Sequence, residues 1–276
     1  MKKIVFKNNW WRNMLGILVL AGVLSIIYGV ICAKAGDIKM PSLLDVLKRF
    51  GTQFTDSTNN TTVLKALGIT LFTLGVSLFF SLVIGLVFGF FFGRKEKWIY
   101  IQPTVDFLRS IPMTFLIPIL AIIYATGDTI NIYLLTIYPT SLIIMFGVRN
   151  GIQNQDLERL HFFKVIASKQ KQPKRYSIEK IKLTLFEALP HIFAQFRIAL
   201  SYGLVIVTVL EYMFIGVSES STGIGTLLYR ANENQPKANV FALVLLIGVI
   251  GFFLNKVAEW IQNKLIHWSN ENLKNE

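Results

Sequence analysis

The sequence predicts an all-α, polytopic membrane protein with six transmembrane helices, and three observations carry that prediction. Of its 276 residues, 53% are hydrophobic, more apolar surface than a soluble domain of this size usually carries. Six apolar segments, at about 13–33, 66–92, 104–126, 130–148, 191–216 and 239–259, approach the roughly 20 residues a helix needs to cross hydrocarbon. The 28 Lys and Arg sit in short clusters between these segments, so the net charge of +12 reports topology and no nucleic-acid stripe.

The first span, 13–33, follows a short tail, 1–12. Lys2, Lys3 and Lys7 ahead of it and Ala33-Lys34-Ala35 behind it imitate a signal peptide. The apolar stretch Met14 to Ala33 is longer than a signal core of roughly 7–15 residues and suits an uncleaved helix. Cys32 is the only cysteine, which excludes an intrachain disulfide, and Ile31 before it does not fit a lipoprotein site.

Residues 34–65 form the longest external loop. Within it the amphipathic stretch Pro41 to Phe54 reads as a surface helix and the polar run Thr55 to Thr62 as a turn. A docking surface for an external partner is the alternative. The Asn59-Asn60-Thr61-Thr62 run contains glycosylation-type triplets of the kind that arise by chance in such composition.

The main membrane-embedded region is placed at 66–262. Its third span is the least regular, because Pro112 and Pro118 interrupt it and Asp106 and Arg109 occupy its first turns. Backbone groups freed by the prolines must be satisfied by protein or a water-filled path, which makes Pro112 and Pro118 candidates for the translocation path. Asp106 and Arg109, three residues apart, can pair on one helix face as an interfacial anchor. Glu211, in or at the outer end of the fifth span, is a third path candidate, since an intramembrane carboxylate faces a partner or water; pairing with Arg197 or with another chain's cation is the structural alternative.

An even number of spans puts both termini on one side. Counting Lys2, Lys3, Lys7 and Arg12, then Arg94, Lys95, Lys97 and Arg109, the nine from Arg149 to Lys182, and Lys256 with Lys264 and Lys274 of the tail 263–276, that side holds 20 Lys and Arg against 7 on the other. The positive-inside rule makes it the cytoplasm. Trp10, Trp11, Trp98, Trp260 and Trp268 all fall beside cytoplasmic boundaries, where an indole suits the headgroup layer.

The cytoplasmic segment 149–190 is too long for a plain turn. Its first half, Gln155 to Ala167, reads as a short helix with an acidic start. A short amphipathic helix outside the membrane can pass motion to a soluble motor by filling a groove in it. The alternative is a helix lying flat on the inner leaflet.

From Leu67 to Trp268 the chain resembles permeases of binding-protein-dependent ABC importers, most of all the sulfonate, taurine and nitrate group. The resemblance rests on Asp106-Phe-Leu-Arg-Ser-Ile-Pro112, Phe115-Leu-Ile-Pro118, Gly147-Val-Arg-Asn150, Glu187-Ala-Leu-Pro-His-Ile-Phe193, Arg197-Ile-Ala-Leu200, Glu211 and Ser221-Thr-Gly-Ile-Gly225. It implies the type I importer permease arrangement, a homodimer in the lipid bilayer, two ABC ATPase subunits and an extracellular substrate-binding lipoprotein that selects the solute. The family's ATPase-docking signature falls here on Glu158, Arg159, Leu160, Phe162, Phe163 and Lys164, which become the coupling residues. Lys164 stands where the family has Gly, the ending at Leu183-Thr-Leu185-Phe186 lacks its proline, and Lys169 to Tyr176 looks inserted.

Enzymatic chemistry is not expected. His161, His191 and His267 stand apart with no nucleophile or carboxylate at a catalytic offset, and no Cys/His cluster has metal-ligand spacing. Gly223 and Gly225 are not followed by Gly-Lys-Ser/Thr, so ATP must bind another polypeptide. The expected function is therefore a permease subunit without cofactor, passing a small solute such as a sulfonate, taurine, nitrate or a thiamine precursor. A membrane-embedded enzyme and an ATPase-independent channel component are the competing readings.

Overall fold

The computed structural model describes residues 40–55, 57–112, 129–155, 173–214 and 223–266, together with 25–32 and a few positions near 15–23 and 115–119. Seven helices are delimited among them: α1 (Leu43–Thr55), α2 (Ser57–Phe92), α3 (Lys95–Ser110), α4 (Thr129–Gln153), α5 (Pro173–Met213), α6 (Ile224–Asn234) and α7 (Lys237–Leu265). No strand occurs among the described residues. Four stretches are long and apolar enough to cross a membrane: Thr62–Phe92, Ile130–Gln153, Lys182–Met213 and Lys237–Leu265. They coincide with the second, fourth, fifth and sixth expected spans.

Two compact units divide the described chain, one of Met1–Val63 with Leu228–Ile247 and one of Leu64–Leu227 with Gly248–Glu276. In the first, residues 25–32 are helical, and the Tyr28 hydroxyl donates to the Pro41 carbonyl at 2.8 Å while its ring meets Phe241 edge-on. The amphipathic stretch forms α1 as its pattern predicts. Ser42 caps it: the Asp45 N–H donates to the Ser42 hydroxyl, which in turn donates to the Asp45 carboxylate, a local capping exchange.

The second unit is knitted by small residues. Gly85 and Gly89 on α2 and Gly93 just past its end recur every four positions, and a Cβ at any of them would collide with α4: with Ile144 at Gly85, Val148 at Gly89 and Ile152 at Gly93, where the Gly89 carbonyl is closer still. Gly147 and Gly151 on α4 do the same against Gln195 and Ala188 of α5. Lipid is as apolar as leucine, so membrane helices associate by close backbone approach and buried polar contacts. The polar contacts are present beside the glycines: the Ser81 and Thr140 hydroxyls lie 2.7 Å apart, so one donates to the other, and the one that accepts donates to the carbonyl four residues back in its own helix, Ser77 or Thr136.

Three readings change. The polar run Thr55 to Thr62 is no turn, because α2 already starts at Ser57. The fifth span is the distal part of a 41-residue helix that begins at Pro173 and reaches about 60 Å. Proline suits a helix's first position, where no N–H partner is needed. Trp98 is buried, 2% exposed, and packs with Val105, Met145 and Phe146, its ring 4.6 Å from the Arg149 guanidinium. Its boundary position fits the headgroup argument, but the cation–π contact and helix packing claim the indole instead. Trp260, by contrast, is exposed.

Candidate functional site

Two features stand out in the second unit, a buried carboxylate and an open cleft. The carboxylate belongs to Glu211, 2% exposed near the end of α5. The Thr70 hydroxyl of α2 donates to it at 2.8 and 3.0 Å, and the Gly225 N–H donates at 3.0 Å. The Ile224 N–H donates to the Thr70 oxygen at 2.9 Å. Ile224 and Gly225 open α6, so two of its four orphan N–H groups are satisfied by side chains of other helices. A carboxylate there also meets the positive end of the helix dipole. Gly223 and Gly225 are required by closeness: a Cβ at 223 would fall on the carboxylate, and one at 225 on the α5 backbone.

Glu211 therefore does not pair with Arg197. The Arg197 Nε donates to Asn255 at 3.0 Å and Nη1 to Gln262 at 3.3 Å, with Glu259 3.6 Å from Nη2. Positions 255, 259 and 262 share one face of α7. Lys256 holds Glu259 from the other side at 2.9 Å. Among the described residues no ion pair joins Asp106 to Arg109; Arg109 sits 5.3 Å above the Phe146 ring.

The cleft, about 580 Å³, lies among α3, α4 and α5. Its walls include Arg109, Pro112, Tyr138, Asn150, Gln195 and Tyr202. Pro112 creates its edge: Ile111 before it is extended, as the residue before a proline prefers, and α3 stops. The Leu108 carbonyl, which a proline at 112 cannot serve, accepts from the Ile111 N–H and from the Tyr138 hydroxyl, which ties that end to α4. α3 thus ends just before Pro112, one of the two prolines expected to interrupt the third span. Pro118 and the coupling residues Glu158, Arg159, Leu160, Phe162, Phe163 and Lys164 lie outside the described residues. Sequence reasoning missed the cleft's Asn150, Gln195 and Tyr202, although Asn150 stands in a motif it quoted; the Gly-x-x-x-Gly spacing at 147 and 151 was the available signal of close packing there.

Residues 81–267 match the family described as the inner membrane component of binding-protein-dependent transport systems. The chain belongs to that family. The similar sequences agree. SsuC of Bacillus subtilis, a permease protein named for aliphatic sulfonates, is 27% identical over 199 residues, 72% of this chain and 66% of its own length. CmpB of Synechococcus elongatus, a permease protein of a bicarbonate transport system, is 24% identical over 190 residues, 67% of this chain and 63% of its own. The matched part of this transport component thus spans just under two thirds of each relative. Its fold resembles a chain of the MetNI methionine ABC transporter in an inward-facing crystal form, with a TM-score of 0.61 at 17% identity over 76% of this chain and 99% of that one.

Proposed function

We propose that the chain is the membrane-spanning permease subunit of an ABC importer for a small oxyanion. The observation that carries the reading is the cleft: an opening of small-molecule size within a glycine-packed helix bundle, bearing a cation and no carboxylate among its described lining. The solutes named for two relatives, sulfonates and bicarbonate, are both anions. Six spans with cytoplasmic termini, a homodimer enclosing the path in the bilayer, an external binding lipoprotein and a separate ATPase complete the proposed assembly. The 20-to-7 distribution of Lys and Arg supports the orientation.

Within it, Phe162, Phe163 and their neighbours from Glu158 to Lys164 dock on the ATPase, and Pro112 and Pro118 border the path. Glu211 serves the path by fixing α6 at its outer end, without touching solute. Purification from the native membrane tests the assembly. Recovery of two copies of this chain with two ATPase subunits, with ATP hydrolysis stimulated by the binding lipoprotein, is expected; a solitary monomer competent in transport would contradict it.

A further inference from the structure

We infer that the cleft among α3, α4 and α5 is an anion-holding vestibule with Arg109 as its fixed cation, an inference that rests on the permease reading and assigns where the solute is held. Arg109 is the single charged group among the described lining residues. Its guanidinium carbon stands 5.3 Å from the Phe146 ring centroid, and no hydrogen bond or ion pair joins it to another described residue, so its N–H groups are open to an oxyanion in the forked geometry arginine favours. Asp106, the neighbouring carboxylate on α3, is not among the residues that line the cleft.

The rest of the wall supplies donors. The Asn150 amide oxygen accepts from Arg149 at 3.3 Å, so its NH₂ is the group left to offer. Gln195 and Tyr202 add an amide and a hydroxyl, and Leu142, Ile143 and Ile198 add apolar surface. One cation, several neutral donors and an apolar wall match a small oxyanion carrying an alkyl group, and would repel a cation. A role for Arg109 limited to anchoring α3 at the lipid headgroups predicts no such charge preference inside the cleft.

The test uses the whole transporter in inside-out vesicles, with Cys32→Ser and a reporter thiol from Ile143→Cys. Labelling rates are compared for two methanethiosulfonates, one bearing a sulfonate and one a trimethylammonium. Taking their ratio cancels changes in thiol reactivity. Arg109→Gln should lower the sulfonate-to-ammonium ratio about tenfold, and Arg109→Lys should keep most of it. With Arg109 intact, millimolar methanesulfonate should slow labelling while methylammonium does not, a readout independent of whether the Arg109 variants fold. An unchanged ratio in Arg109→Gln, absence of labelling by either reagent, or equal protection by both ions would overturn the inference. A charge preference in a transporter that accumulates no anion would uphold the vestibule and defeat the anion-importer reading.

Discussion

Thr70 and Glu211, 141 positions apart, share a buried hydrogen bond through which α2 and α5 together hold the first N–H groups of α6. The Thr70 hydroxyl donates to the carboxylate and accepts from Ile224, so removing either partner strands the other. Glu211→Ala should cost about 3 kcal/mol, the penalty of leaving a buried hydroxyl and a buried amide unmet. Thr70→Val should be nearly as harmful, and the double variant clearly less so than the sum. Thermal unfolding in detergent measures all three, and strict additivity would show that the pair does not act together.

The glycines divide into two kinds. Gly89→Ala pushes a methyl to within 3.0 Å of the Met145 carbonyl and closer to Val148, so it should destabilise by about 1–3 kcal/mol. Val148→Ala should recover part of the loss. Gly75 and Gly248 have nothing within 4 Å of the methyl that alanine would add, so alanine there should be neutral or stabilise, by about 1 kcal/mol at most, from helix propensity. Equal responses at 89 and 75 would refute the packing seam.

What the sequence made legible follows from which forces are local. Apolar length marked four spans, amphipathic spacing marked α1, and Pro112 marked the break in the third span, because each depends on a few consecutive residues. Trp98 could not be placed, since its burial depends on Phe146 and Arg149, far along the chain. Glu211 was recognisable as costly but its partners were not: a hydroxyl on α2 and an amide on α6 leave no pattern near position 211. The start of α5 at Pro173 was hidden because its first turns are polar and basic, which resembles a loop when hydropathy is the guide.

Arg197 should be intolerant of shortening. Arg197→Ala removes the bond to Asn255 and the bond to Gln262 together, at a cost of about 1–2 kcal/mol after allowance for its partial exposure. Arg197→Lys has one donor centre where the fork has three nitrogens and should fall between. Glu259→Gln should cost less than either, being the longest and most exposed contact of the group. A neutral Arg197→Ala in the same unfolding assay would show that the network contributes nothing to stability.

Coupling is predicted to depend on Phe162 and Phe163. Replacing both with Ala should release the ATPase, since a buried aromatic side chain contributes roughly 1.5–3 kcal/mol at such a surface. Replacing Lys169, Lys171, Lys174 and Arg175 with Gln should leave the complex intact. Co-purification decides, and the opposite pattern would assign the segment to the inner leaflet. Labelling of a single cysteine at Lys171 by an external impermeant reagent would overturn the orientation itself.

Solute uptake decides whether the chain is the permease of an ATP-driven anion importer. The chain, its ATPase and its binding lipoprotein are reconstituted in liposomes with the binding protein outside, and radiolabelled methanesulfonate, taurine and bicarbonate are offered in turn. At least one anion is expected to accumulate against its gradient only when ATP reaches the ATPase and the binding protein is present. Accumulation of none, or anion flux that persists without ATP, would contradict the importer reading.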